Sequence, residues 1–318
     1  MLKIGLIGVG HLGKIHLKLL QQSNKYELVG FYDQDRDNSL LIEEEFGCKY
    51  FSSLQQLIDS VEVVDIVTPT STHFSIAKEV IKQGKHFFIE KPVTENIEEA
   101  NQLIQLVENK NIKAQVGHVE RFNPAFLVAK EHIQSPMFIE THRLATFNPR
   151  GTDVSVVLDL MIHDIDIILS VVKSDIKEIK SSGVAVVSDT PDIASARIEF
   201  QNGCVANITT SRISLKQMRK SRFFQKDAYI SVDFLDKKTE IITINNSPNE
   251  NSLTIEDSKG NKKGIEINFP AVLPNNAILD ELESFAESIL HDKTEAVTLH
   301  DAKRALEVAH EIINNFSK

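Results

Sequence analysis

An α/β fold in two parts is predicted by three features of this 318-residue sequence. Short apolar runs alternate with helical patterns over roughly the first 120 residues, the rhythm of a parallel sheet with crossover helices. A glycine-spaced turn, Gly8-Val9-Gly10-His11-Leu12-Gly13, follows the first run directly. Beyond Pro124 the alternation gives way to closely spaced strand patterns, and two helical stretches close the chain.

Residues 2–7 are an apolar run suited to a strand covered on both faces. The G-x-G-x-x-G that follows leads into a helical pattern through Leu12, Ile15, Leu19 and Leu20. The first glycine allows a tight turn, the second lets backbone approach a pyrophosphate, and the third lets helix and strand pack closely. Free N–H groups at the helix start then face the phosphates. Three such glycines are often only a turn, so the context decides. A second strand, 27–32, ends in Asp33, where an acid can accept hydrogen bonds from adenosine ribose hydroxyls. The alternative is that Asp33 opens the loop or caps the next helix. An acid here repels a 2'-phosphate and favours NAD, while Arg36 keeps NADP open.

The alternation continues with a helix over 36–46 stopped by Gly47, a short helix over 53–59 and a strand over 63–67. That strand ends in Thr68-Pro69-Thr70-Ser71-Thr72-His73, a polar turn at the strand edge where open α/β sheets bind ligands. Thr72 is expected to cap a helix over 74–83, with Thr68 and Thr70 near a cofactor. Gly84 closes that helix, and the strand 86–89 delivers Glu90-Lys91-Pro92, a charged pair stopped by proline at the exit from a core. Thr94 is expected to cap the helix carrying Ile97, Ala100, Ile104 and Val107, and a strand over 114–116 leads to Gly117-His118-Val119-Glu120-Arg121-Phe122-Asn123-Pro124. Five or six strands with intervening helices make a complete Rossmann domain, assigned to residues 1–122.

In the second part, 123–318, a helix over 125–132 and a strand over 138–147 precede the breaker Asn148-Pro149-Arg150-Gly151. Residues 154–172 read as one helix on which Asp159, His163 and Asp166 share a face. His163 is either a core histidine satisfied by Asp159 or, with a cofactor domain upstream, a base with its orienting carboxylate. Strands over 179–187, 194–200, 205–211, 228–234, 240–244 and 265–269 suggest an antiparallel meander, followed by helices over 277–290 and 299–316.

Apolar residues make up 42% and charged residues 25% of the chain, so disorder is not indicated. The net charge of -10, without a long run of one sign, excludes a nucleic-acid arm or polybasic membrane patch. The densest basic stretch, 216–222, reads as a solvated loop or one edge of an anion site. Two cysteines, Cys48 and Cys204, are too few for a disulfide framework or zinc site, so no metal is expected and a reduced, cytoplasmic setting fits. The amino terminus reads as a strand and turn rather than a signal peptide. The most apolar long segment carries Asp159, His163, Asp164 and Asp166 and is no membrane span.

With these motifs in view, the chain resembles the Gfo/Idh/MocA oxidoreductases over nearly its whole length. The resemblance rests on the glycine fingerprint, on Glu90-Lys91-Pro92, and on Asp159 with His163 in Asp159-Leu160-Met161-Ile162-His163-Asp164-Ile165-Asp166. It implies a carboxyl-terminal α+β domain with a large, open, mostly antiparallel sheet, serving substrate binding and assembly into a homodimer or homotetramer. Lys91 matches the family's active-site lysine, His163 its catalytic histidine and Asp159 the carboxylate beside it. The implied cofactor set is Gly8, Gly10, His11, Leu12, Gly13, Asp33, Thr68, Thr70, His73, Glu90 and Lys91. Substrate candidates are Lys91, Arg121, Asn123, Arg150 and His163, with Arg143 or Arg150 as candidates to meet a diphosphate; each arginine reads equally as a structural or surface residue. Many members carry a glycine-rich run before the Asp and His, where this chain has Asp153-Val154-Ser155-Val156-Val157-Leu158. This version, with Gly117 to Pro124, looks like the branch that oxidises the 3-hydroxyl of UDP-N-acetylglucosamine-type sugars. The expected activity is reversible, nicotinamide-dependent oxidation of a secondary alcohol on a sugar or nucleotide sugar. The alternatives are a free-sugar or cyclitol dehydrogenase and a non-catalytic nucleotide sensor.

Overall fold

The computed structural model describes residues 1–148, 154–246, 253–256 and 260–317. Its first stretch alternates strand and helix: β1 Leu2–Ile7, α1 His11–Gln22, β2 Tyr26–Tyr32, α2 Arg36–Phe46, α3 Leu54–Asp59, β3 Val63–Ile66, α4 Thr70–Lys82, β4 His86–Glu90, α5 Ile97–Glu108 and β5 Ala114–Gly117. The five strands form one parallel sheet in the order β2-β1-β3-β4-β5. This is the Rossmann arrangement, and β3 and β4 are buried along nearly their whole length, as strands covered on both faces must be.

Local chemistry fixes the helix ends. The Asp35 side chain accepts from Asn38 N–H to start α2, and Gly47 ends that helix in the left-handed region at φ 60°. Two expected caps are corrected. Helix α4 begins earlier than expected, after Pro69, so Thr72 lies inside its first turn and donates to the Thr68 hydroxyl and the Pro69 carbonyl. Asn96, not Thr94, caps α5 through the Glu99 N–H, while Thr94 donates to the Asn96 carbonyl.

The following stretch carries α6 Pro124–Lys130, β6 Phe138–Leu144, a π turn Val157–Met161, α7 Ile162–Val171, β7 Ile176–Val184, β8 Ile193–Phe200, β9 Val205–Ser211, β10 Met218–Gln225, β11 Ala228–Asp233, β12 Lys238–Asn245, β13 Leu253–Glu256 and β14 Lys262–Asn268. Nine strands form one sheet in the order β13-β14-β12-β11-β10-β6-β9-β8-β7. It is mostly antiparallel, but β6 and β9 pair in parallel, which a simple meander does not allow. Helix α6 packs on β11 and β12, and α7 packs on β6. Ile139, Ile208, Phe223, Ile230 and Val232 are buried at alternate strand positions and form the inner face.

The stretch 216–222, expected as a loop or anion-site edge, is largely β10, an interior strand. Its cations are matched across the sheet: Lys220 opposes Asp233 at 2.9 Å and Arg222 opposes Glu140 at 2.8 Å. Cross-strand charge pairs replace the apolar alternation that would have marked a strand.

Helices α8 Ala277–Leu290 and α9 Leu299–Asn314 complete the chain. The compact units are discontinuous, Met1–Val119 with Asn276–Leu306 and Glu120–Asn275 with Glu307–Lys318, rather than the expected 1–122 and 123–318. The reason lies in α8, whose Leu282, Phe285 and Ala286 bury against Leu2, Ile4, Leu20 and Phe88 of the parallel-sheet unit. Among the described residues no helix is long and apolar enough to cross a membrane.

Candidate active site

The glycine turn between β1 and α1 explains its own composition. Gly8 has φ +93°, and a Cβ there would sit 2.6 Å from the Val67 carbonyl oxygen. A Cβ on Gly13 would sit 2.0 Å from the Gly8 carbonyl oxygen, so the backbone of the turn would have to shift to admit it. Around Gly10, by contrast, a Cβ would meet open space, so backbone is accessible there. A groove of about 570 Å³ runs along this edge, lined by Gly8, Gly10, Asp33, Thr68 and Thr72 among others. His11 and Leu12 are exposed in the first turn of α1, which carries no acidic residue to repel a phosphate.

Asp33 lines the groove and braces it. Its Oδ2 accepts from Val9 N–H at 2.8 Å and its Oδ1 from Asp35 N–H at 2.9 Å. It does not cap α2, a task taken by Asp35. A backbone approach at Gly10, a helix start free of acids and a carboxylate at the end of β2 fit a dinucleotide.

Thr68 lines the groove, while Thr70 is half-buried at the first position of α4. His73 is corrected from a cofactor contact to an internal tie. It is 1% exposed, and its ring nitrogens lie 2.9 Å from the Thr68 and Pro92 carbonyl oxygens. Burial lowers its pKa, partly opposed by those carbonyls. His73 therefore joins the turns after β3 and β4. The second turn carries Lys91, half-buried, in a cis Lys91–Pro92 peptide. Glu90, the last residue of β4, sends Oε2 to the Lys91 backbone N–H at 3.2 Å.

Sequence reading passed over the groups behind Glu90. His16 of α1 is fully buried, with Nδ1 2.9 Å from Asp65 Oδ2 and Nε2 3.4 Å from Glu90 Oε1. Burial lowers the His16 pKa, but the Asp65 and Glu90 carboxylates outweigh it and hold the imidazole well above its ordinary value. Glu281 of α8 is fully buried; burial first, then the Glu90 charge, pushes its carboxyl well above the usual range. Two signals were available: the buried positions of α1 include Gly13, His16, Leu17 and Leu20, and Asp65 interrupts an apolar strand. A buried histidine or acid demands a partner.

In the second unit, His163 is half-buried near the start of α7 and Asp159 is exposed in the π turn that precedes it. The single expected helix over 154–172 is thus a π turn followed by an α-helix, an irregularity frequent at functional sites. Arg121 and Arg143 take the structural of the two roles open to them. Arg121 forks onto Asp166 through Nε at 2.8 Å and Nη2 at 2.6 Å. Arg143, 3% exposed, is spent on Asp164 at 2.8 and 3.2 Å and on Glu120 at 2.9 Å, so it does not reach outward to a diphosphate. Burial lowers its pKa, but Asp164 and Glu120 raise it further, so the guanidinium stays charged. Asn123 is buried too: its oxygen accepts from Ala125 N–H, and its amide donates to Glu120 and the Phe234 carbonyl. Arg150 lies outside the described residues.

Residues 2–118 match the family profile described as an oxidoreductase family with an NAD-binding Rossmann fold, and residues 132–227 match the GFO/IDH/MocA C-terminal domain. The UDP-N-acetylglucosamine 3-dehydrogenase of Acidithiobacillus ferrooxidans is 37% identical over 241 residues, covering 76% of each chain. This chain belongs to the GFO/IDH/MocA oxidoreductase family. As a GFO/IDH/MocA member it is an NAD-binding dehydrogenase acting on CH–OH groups. The scyllo-inositol 2-dehydrogenase (NAD(+)) of Bacillus subtilis is 28% identical over 99% of this chain and 94% of its own. The solved structure of the A. ferrooxidans 3-dehydrogenase GnnA superposes with a TM-score of 0.90 at 31% identity, covering 100% of this chain and 99% of that one.

Proposed function

We propose that this GFO/IDH/MocA protein oxidises, reversibly, the 3-hydroxyl of a UDP-N-acetylglucosamine-type nucleotide sugar with NAD. The observation that carries the substrate is the likeness to the A. ferrooxidans 3-dehydrogenase, which spans the full length at a TM-score of 0.90. When bound, NAD supplies the hydride acceptor, and the protein's groups position the substrate and manage one proton. The glycine turn and the start of α1 would hold the pyrophosphate, and Asp33 the adenosine ribose. Lys91 would hydrogen-bond the reacting oxygen and stabilise developing negative charge. His163 would take the hydroxyl proton, with Asp159 orienting the ring. The alternative assignment makes Lys91 the base in place of His163. The enzyme would work as a homodimer or homotetramer in a reducing cytoplasm, a setting consistent with two buried free thiols.

The test is a panel of UDP-sugars, free sugars and cyclitols with NAD and NADP, read by absorbance of the reduced cofactor. UDP-N-acetylglucosamine oxidised with the highest kcat/KM supports the proposal. Preference for scyllo-inositol or a free hexose would transfer it to the second reading, favoured by the inositol dehydrogenase relative. Tight cofactor binding without turnover on any alcohol would leave a sensor.

A further inference from the structure

We propose that His16 is a positioning residue for the Lys91 turn: clamped between Asp65 and Glu90 as a buried imidazolium, it fixes the Glu90 carboxylate against the Lys91 backbone N–H. The clamp itself is read from geometry, and its effect on turnover rests on the role given above to Lys91.

Each ring nitrogen faces a different carboxylate, Nδ1 toward Asp65 and Nε2 toward Glu90. A neutral imidazole has one N–H and would present a lone pair to the other carboxylate, a repulsive contact in a buried site. The cation hydrogen-bonds Asp65 at 2.9 Å and meets Glu90 at 3.4 Å, an ionic contact rather than a hydrogen bond. Around it stand Asp65 on β3, Glu90 on β4 and Glu281 on α8, with the Phe88 ring centroid 6.0 Å from that of His16. Among the described residues neither carboxyl oxygen of Glu281 has a hydrogen-bond partner, which suits a neutral, protonated acid. Burial also raises the Asp65 carboxyl, and the His16 charge and hydrogen bond oppose that rise, so the imidazolium and its Asp65 partner hold each other ionised.

Glu90 is confined from the other side as well. It pairs in register with Gly117 on β5, and a Cβ on Gly117 would lie 2.6 Å from Oε1 and 3.1 Å from Oε2. One oxygen meets His16 and the other meets the Lys91 N–H. The carboxylate therefore has one place to sit, and the backbone that presents Lys91 is fastened to it.

Nitrogen-labelled histidine NMR on the full chain gives the first readout. One ring, assigned by its loss in a His16 variant, is expected to carry protons on both nitrogens at about pH 8, above the ordinary histidine value of about 6.5. A neutral His16 at that pH overturns the proposal. The second readout is His16→Gln/Asp65→Asn, which removes one cation and one anion together and keeps hydrogen-bonding amides in their place. It should fold and bind NADH, with kcat lowered roughly 10- to 100-fold and its acid limb moved to higher pH. A folded double variant with the wild-type kcat and pH profile reduces His16 to a packing residue and sinks the idea. If that variant is too unstable to assay, Gly117→Ala pushes the same carboxylate from the opposite side. It should lower kcat about tenfold with the His16 imidazolium intact; unchanged kcat rejects the clamp. Failure of the dehydrogenase reading is seen separately, as wild-type protein that turns over no sugar alcohol while the NMR result stands.

Discussion

Asp33 Oδ2 and the Val9 backbone N–H are 2.8 Å apart, which ties the end of β2 to the glycine turn. The residue expected to select the cofactor thus also holds the backbone that would bind it. Asp33→Ala should weaken NADH binding tenfold or more, since each hydrogen bond to a charged group contributes about 1.5–3 kcal/mol. The same variant should narrow the preference for NAD over NADP, because a negative charge near the 2'-position is gone. Fluorescence titrations with both cofactors check this, and an unchanged NAD:NADP ratio would remove Asp33 from selectivity.

Gly13→Ala places a methyl group 2.0 Å from the Gly8 carbonyl oxygen. The obstacle is backbone, so the turn itself must move. Cofactor affinity should drop by more than tenfold while circular dichroism retains the α/β signature. Wild-type affinity would show that the turn is not the phosphate cradle.

Lys91→Ala should keep NADH affinity within a few-fold and lose turnover by roughly 10²- to 10⁴-fold. Binding by fluorescence and turnover by absorbance separate these outcomes. Near-normal kcat would exclude Lys91 from the chemistry.

Arg143→Met removes the guanidinium that bonds both Asp164 and Glu120, leaving Asp164 without that charge in a buried setting and Glu120 with Arg219 at 3.9 Å. Breaking such a pair costs about 3–5 kcal/mol, measurable as a lower midpoint in urea. A loss below about 1 kcal/mol would mean that water reaches the cluster and relieves it.

Glu281 and His16 both have folded pKa values raised above their unfolded ones. Each therefore keeps a proton in the folded state that the unfolded chain releases, so stability is fully present below the unfolded pKa and falls as pH rises toward the folded one. The decline should begin near pH 4.5 for Glu281 and near pH 6.5 for His16. One unmatched proton contributes about 1.4 kcal/mol per pH unit. Glu281→Gln needs no proton and should flatten the decline of Tm between about pH 5 and 8, with higher stability than the parent at the upper end. A slope identical to the parent's would show that Glu281 is ionised in the fold.

Much of the first unit is legible one element at a time. Apolar runs of strand length, a G-x-G-x-x-G at the right junction and Gly47 after a helical pattern each act within a few residues, and the observed β1, α2 and α8 coincide with the expected ranges. The motif residues Gly8 and Gly10, with Asp33, line one groove. The miss at β10 has a non-local cause: its signal is charge pairing with β6 and β11, and those partners lie on other strands.

What the sequence by itself determined is therefore the local repertoire: a parallel α/β unit with a glycine turn after its first strand, then a strand-rich unit. Only the tertiary structure decided that Arg143 and Asn123 are internal, that α8 returns to the parallel sheet, and that His16 lies between Asp65 and Glu90. Periodicity records which face of an element is buried, an effect of neighbours three or four positions away. Whether a buried charge meets its opposite depends on residues dozens of positions apart, and that is set when the sheet and its helices close around them.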